Sequence, residues 1–271
     1  MMLGDQPWTR VRAALASGVP VVAILPLGAV EAHGPHLPLC TDVIISEGMA
    51  RRAAALLEGQ GMHGFVLPAL AYAPAHYAAE FPGTISIGEA TARAAILDIA
   101  ASLKAQGFAC LALANSHFDP ANVAMLRGLA AEVVALGLPL AYPDFTRRAL
   151  AAELTEEFVS GACHAGQFET SLVLADRPDL VDEPARAALA DNPASLVTAF
   201  AAGASTFSEA GGPQAYFGYP SRATAGEGAE TSAIMAEAIG RERAGRAKRH
   251  VRRSQIAAPP VPPAFRRRPG L

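Results

Sequence analysis

Apolar positions along this chain fall into two kinds of run that alternate. Short continuous runs at 21–27, 65–70, 109–114 and near 138–142 have the length and flanking turn residues of buried strands. Between them, apolar residues recur every three or four positions over 9–17, 43–57, 91–105 and 121–136. In the third of these, Ile96, Ile99 and Leu103 share a face. Strands alternating with helices of this length predict an α/β domain with a largely parallel central sheet. Leu172 to Ala175 starts another helical pattern, and 229–247 reads as one long, mostly exposed helix. No repeat or linker divides residues 1–250, which are read as one domain. From His250 the composition turns to Arg, Pro and Ala, so 251–271 is read as a tail, either disordered or wrapped on a neighbouring subunit. Its Arg266, Arg267 and Arg268 are read as solvated.

Charge and cysteine content narrow the function. Lys and Arg total 22 and Asp and Glu total 25, a net charge of −3 that gives no electrostatic case for nucleic acid. Although 51% of residues are hydrophobic, no apolar stretch reaches the roughly 18 residues of a membrane span. The first dozen residues lack the apolar core of a signal peptide. Three cysteines, Cys40, Cys110 and Cys163, are too few and too odd for a disulfide framework, and a reducing cytoplasm is expected.

Candidate chemistry sits just after the strands. The first run leads into Glu31-Ala-His33-Gly-Pro-His36-Leu-Pro-Leu-Cys40-Thr-Asp42. Alternate residues of an extended segment share a face, so Glu31 and His33 can point the same way. The two proline turns can then bring Asp42 back towards them. The third run ends in Asn115-Ser-His117-Phe118-Asp119-Pro120, and His164-Ala-Gly-Gln-Phe-Glu169-Thr-Ser171 precedes a helix. Parallel sheets bind ligands beyond the carboxyl ends of their strands, where all three clusters can meet. Mixed carboxylate and imidazole donors suit zinc, manganese or iron rather than calcium. Cys40 and Cys163 flank these donors and are either further ligands or small core thiols. His36 is read as orienting a ligand carboxylate or as structural. His76 and Tyr77 are read as a pocket-lining pair, with surface packing the alternative. Glu153, Glu156 and Glu157 read as a solvated helix face, and Gly211-Gly212 as a tight turn near the pocket or a subunit interface.

These motifs resemble the creatininase family of metal-dependent amide hydrolases. The resemblance rests on Leu25-Pro-Leu-Gly28 running into the Glu31 to Asp42 motif, then on Phe81-Pro-Gly-Thr84, Asn115-Ser-His117 and His164-Ala-Gly-x-x-Glu169-Thr-Ser171. Gly211-Gly212 and Tyr216-Phe-Gly-x-Pro220 extend it. It implies a creatininase-like three-layer α/β/α fold, with a mostly parallel central sheet and two divalent transition metals at the sheet's carboxyl edge. The position of Asp42 would bridge them, those of Glu31 and His117 would hold one, and those of His33 and Asp119 the other. His164 would contact substrate and handle protons. Glu169 would be a ligand or a neighbour of the metals. Phe118 would line the pocket with His76 and Tyr77. The expected activity is cleavage of a C–N bond in a small-molecule amide (cyclic amide, formamide or short peptide), with water activated by the metals and His164 donating a proton to the leaving nitrogen. The alternative is a metal-retaining, non-hydrolytic assembly partner in a biosynthetic pathway. Relatives imply a homo-oligomer, with a hexamer among the forms.

Two departures stand out. Where creatininase has Tyr-Glu, this chain has Phe118-Asp119, and the missing methylene withdraws the carboxylate by roughly one carbon–carbon bond, about 1.5 Å. Trp8 is the lone tryptophan, and 160–163 lacks the tryptophans that line creatininase's pocket, so creatinine is not the expected substrate.

Overall fold

The computed structural model describes residues 1–256, with side chains described to residue 242. Four of the apolar runs contain strands: β1 (Val21–Leu27), β2 (His63–Val66), β3 (Cys110–Asn115) and β4 (Leu140–Ala141). They pair in the order β2-β1-β3-β4, all parallel, with Ile24 beside Val66 on one side and Ala112 on the other. Every residue of β1 and β3 is buried, which explains why these runs are continuously apolar: a parallel sheet is covered on both faces.

Alternation sends the two halves of β1 into different cores. Val21, Ala23, Leu25 and Leu27 pack under α1 (Trp8–Ala16), α3 (Glu89–Gln106) and α4 (Pro120–Ala135). Val22 and Ile24 pack under α2 (Thr41–Gly59) and two later helices. Short helices α5 (Arg148–Ala151) and α6 (Glu156–Ser160) lead to the first of these, α7 (Gln167–Asp176). After α8 (Glu183–Ala187) and α9 (Leu196–Ala201) comes the second, α10 (Ala225–Ile256). The result is the three-layer α/β/α arrangement.

Three differences from the sequence reading have clear causes. β2 ends before Pro68, which has no N–H for the ladder, although Leu70 N still donates to Pro26 O at 3.1 Å. β4 keeps two paired residues because Pro139 and Pro143 flank it. α10 is not mostly exposed over its first half: Thr231, Ser232, Met235, Ala236, Ala238 and Ile239 are buried against α2 and α7. Gly228 permits that approach, since a Cβ there would collide with the Ser171 carbonyl. The helix continues through residues 251–256, and residues 257–271, including the three tail arginines, lie outside the described residues. No described helix is long and apolar enough to cross a membrane.

Candidate metal centre

The chain leaves β1 in an extended segment pinned on both sides. Glu31 N donates to Leu39 O, and Ala32 N donates to Thr84 Oγ1 at 3.0 Å. The Phe-Pro-Gly-Thr motif thus clamps the Glu31–His33 backbone. Glu31 and His33 turn to one side, with His33 Nε2 3.9 Å from Glu31 Oε1. Asp42 returns to them in the first turn of α2, where the helix N-terminus favours an acid. Gly28 lets β1 end flush against that turn, because a Cβ there would crowd Asp42 Cβ at 2.9 Å. His117 follows β3 and Glu169 lies in the first turn of α7.

Asp42 faces two separate donor sets. Its Oδ2 is 2.9 Å from His117 Nδ1, which also lies 3.3 Å from Glu31 Oε1. Its Oδ1 is 3.4 Å from His33 Nε2, which lies 3.5 Å from Glu169 Oε2. Glu31, Asp42 and His117 form one group with ligand atoms close enough to share an ion, and His33, Asp42 and Glu169 form another. A third combination joins Glu31 and His33 to His164, whose Nδ1 is 3.9 Å from Glu31 Oε1. All six side chains are buried.

Backbone carbonyls hold the imidazoles in useful tautomers. His117 Nε2 lies 2.7 Å from Pro74 O, His33 Nδ1 3.1 Å from Glu31 O, and His164 Nε2 2.9 Å from Ala32 O. A carbonyl only accepts, so each of these nitrogens carries the proton. In the neutral ring the other nitrogen of each then presents its lone pair to the acids, the arrangement metal-binding histidines need. Neither His33 Nε2 nor Asp42 Oδ2 makes a well-formed hydrogen bond, though both are fully buried. Buried polar atoms are rarely left so, and a cation would satisfy both. By donor type and geometry, the residues fit a pair of divalent cations.

Without metal, the groups share protons. Burial opposes charge on His33, but Asp42 and Glu169 outweigh it and carry its pKa up to about 10. Burial likewise opposes charge on His117, yet Glu31 and Asp42 raise its pKa well above the usual value. Burial pushes Glu169 up to about 8, against the pull of His33. At pH 7, therefore, three proposed ligands hold protons that a cation must displace. Metal loading should release protons, and apparent affinity should climb as pH rises from 6 to 8. Calorimetry in buffers of differing ionisation enthalpy measures this, and loading without proton release would remove these residues from the ligand set.

The remaining sequence candidates divide. Tyr77 and Phe118 line the cavity beside the acids, a space of about 60 Å³. His76 does not; it is exposed, with Nδ1 3.4 Å from Ser86 Oγ. Asp119 belongs to none of the three groups. Its Oδ1 caps α4, accepting from Ala121 N at 2.7 Å and Asn122 N at 3.4 Å, and Glu169 stands beside His33 instead. His36 touches no ligand carboxylate; its Nε2 lies 2.9 Å from Thr170 Oγ1, tying the loop to α7. Cys163 lines the cavity outside the metal groups, and Cys40 packs on the core.

Some contributors had no visible signal in the sequence. Phe200, Phe207 and Leu196 complete the cavity wall, with Phe207 4.4 Å from the His164 ring centroid and Phe200 3.9 Å from that of Tyr77. Glu157 is buried rather than solvated. Its carboxylate accepts from Gln167 N, Phe168 N and Tyr219 N at 2.6–2.9 Å, anchoring the start of α7. Gly212 packs on the Phe217 ring in a tight turn, and Phe217 N donates to His164 O at 2.7 Å.

A parallel α/β sheet with buried acids and imidazoles gathered at its carboxyl edge is the architecture of a metal-dependent enzyme, and this chain's relatives give the class. Residues 5–242 match the family model described as creatinine amidohydrolase, and the chain belongs to the creatininase family of metal-dependent amidohydrolases. Among curated relatives, it is 31% identical to a creatinine amidohydrolase of Pseudomonas putida over 67% of this chain and 74% of that protein. It is also 31% identical to a mycofactocin precursor peptide peptidase of Mycobacterium tuberculosis over 79% of this chain and 81% of that protein. A manganese form of creatininase superposes with a TM-score of 0.69 at 26% identity, covering 91% of this chain and 98% of that one.

Proposed function

We propose that this chain hydrolyses a small amide, with Glu31, Asp42 and His117 holding one divalent cation and His33, Asp42 and Glu169 the other. Zinc, manganese and iron all suit these donors. The observation that carries the reading is Asp42, whose two oxygens face different imidazoles at 2.9 and 3.4 Å. When bound, such a pair lowers the pKa of water and polarises the amide carbonyl. The protein supplies the proton path. Burial, reinforced by His33, lowers the pKa of His164 to about 4, so the ring is neutral at pH 7 with its Nδ1 lone pair free. Nδ1 therefore takes a proton from the attacking water before handing it to the leaving nitrogen. This places proton acceptance ahead of the donation expected from sequence.

His164→Ala should keep wild-type metal content while turnover falls by about 10²–10⁴-fold, the usual worth of a placed acid–base group. Loss of metal from this variant would make His164 a ligand, as its grouping with Glu31 and His33 allows. Metal analysis combined with assays on cyclic amides, formamides and short peptides tests the function itself. Metal-replete protein that cleaves none of them would favour a non-hydrolytic partner role. We further propose a homo-oligomer working in the cytoplasm, which sedimentation and fractionation would check.

A further inference from the structure

Asp119 is the acid in this cavity that the metal groups leave unused. It is the N-cap of α4, with Pro120 at the first helical position, and Oδ1 is committed to Ala121 N and Asn122 N. That bond holds the carboxylate at the mouth of the helix. Oδ2, by contrast, is fully buried and has no hydrogen-bond partner. Asp119 nonetheless lines the cavity that holds Glu31, His117 and His164. A buried acceptor without a donor is rare in native proteins and signals a partner that arrives from outside.

The rest of the wall narrows what that partner is. Tyr77, Phe118, Leu196, Phe200 and Phe207 supply apolar and aromatic surface. Among the described residues, no lysine or arginine lines the cavity. The cavity, about 60 Å³, takes a compact group.

We infer that Asp119 is a substrate-binding residue whose Oδ2 accepts a hydrogen bond from the N–H of a neutral, apolar amide. This rests on the amide-hydrolase reading and adds to it a requirement for an N–H on the substrate amide.

Asp119→Asn tests it, because asparagine caps a helix as well as aspartate but presents an NH₂ where Oδ2 was. The full-length, metal-loaded wild type and variant are compared by calorimetry with formanilide and N-methylformanilide. The amide cleaved best in the panel and its N-methyl derivative are compared by kcat/KM. The wild type should favour the N–H form about 10- to 100-fold, the range for a hydrogen bond to a charged acceptor. The variant should favour it less than about 2-fold with metal content unchanged, an offset that a purely structural cap would not produce. Equal preference in both proteins overturns the inference, and metal loss in the variant overturns it by making Asp119 a ligand. Failure to cleave any amide would sink the hydrolase reading instead, and the binding comparison would still decide what Asp119 contacts.

Discussion

Replacing Asp42 with alanine should empty both cation positions together and lower hydrolysis by more than about 100-fold. Residues that merely orient a ligand cost roughly 10–100-fold in metal affinity or activity when removed, so a carboxylate shared by both donor sets should exceed that range. Asp42 is the residue common to the two groups, with Oδ1 towards His33 and Oδ2 towards His117. It is 1% exposed. Its loss also removes the main acid that balances charge on His33, so the metal-free variant should unfold at a lower temperature than the metal-free wild type. Glu169→Gln, which touches a single group, should release only one cation. Metal counting on folded protein separates the cases. An Asp42→Ala variant that keeps two cations per chain refutes the bridge, and one that keeps a single cation assigns Asp42 to one position only.

The second large effect concerns stability. Glu157→Ala would strand three buried N–H groups, those of Gln167, Phe168 and Tyr219. Each costs about 1–3 kcal/mol when left without an acceptor, so the total should reach at least about 3 kcal/mol. For a domain of this size that corresponds to a melting temperature roughly 6–12 °C lower. Gly166 and Gly218 admit the carboxylate this closely, and a Cβ on Gly166 would lie 2.7 Å from Glu157 Oε2. Activity should fall too, because the anchored turn of α7 carries Glu169 and the preceding loop carries His164. An unchanged melting temperature would show that water replaces the carboxylate, and the anchoring role would be wrong.

Glu157 also marks where sequence reasoning runs out. Among Glu153, Glu156 and Glu157, nothing local separates the buried acid from its neighbours. Its partners come from residues 10, 11 and 62 positions away, so only the chain path brings them together. The cavity wall had the same difficulty: Phe200 sits in the short helix α9 and Phe207 in the irregular stretch after it, and neither is long enough for periodicity to mark. Asp119 is different. The Asp119-Pro120 pair carries a helix-start signal that the sequence reading did not use. The family pattern pointed to a metal ligand instead. Geometry favours the cap, because a side chain spent on Ala121 N is held back from His33.

By itself the chain determined its layers. Continuously apolar strands and amphipathic helices require a covered parallel sheet, and His117 had to emerge at a strand's carboxyl end. Spacing likewise put Glu31 and His33 on one side, a local property of extended backbone. Only the tertiary structure decided which acid stands beside His33, which carbonyl orients each imidazole, and which acid binds a helix rather than water. Those outcomes depend on distances of a few ångströms between segments remote in sequence, and periodicity carries no information about such distances.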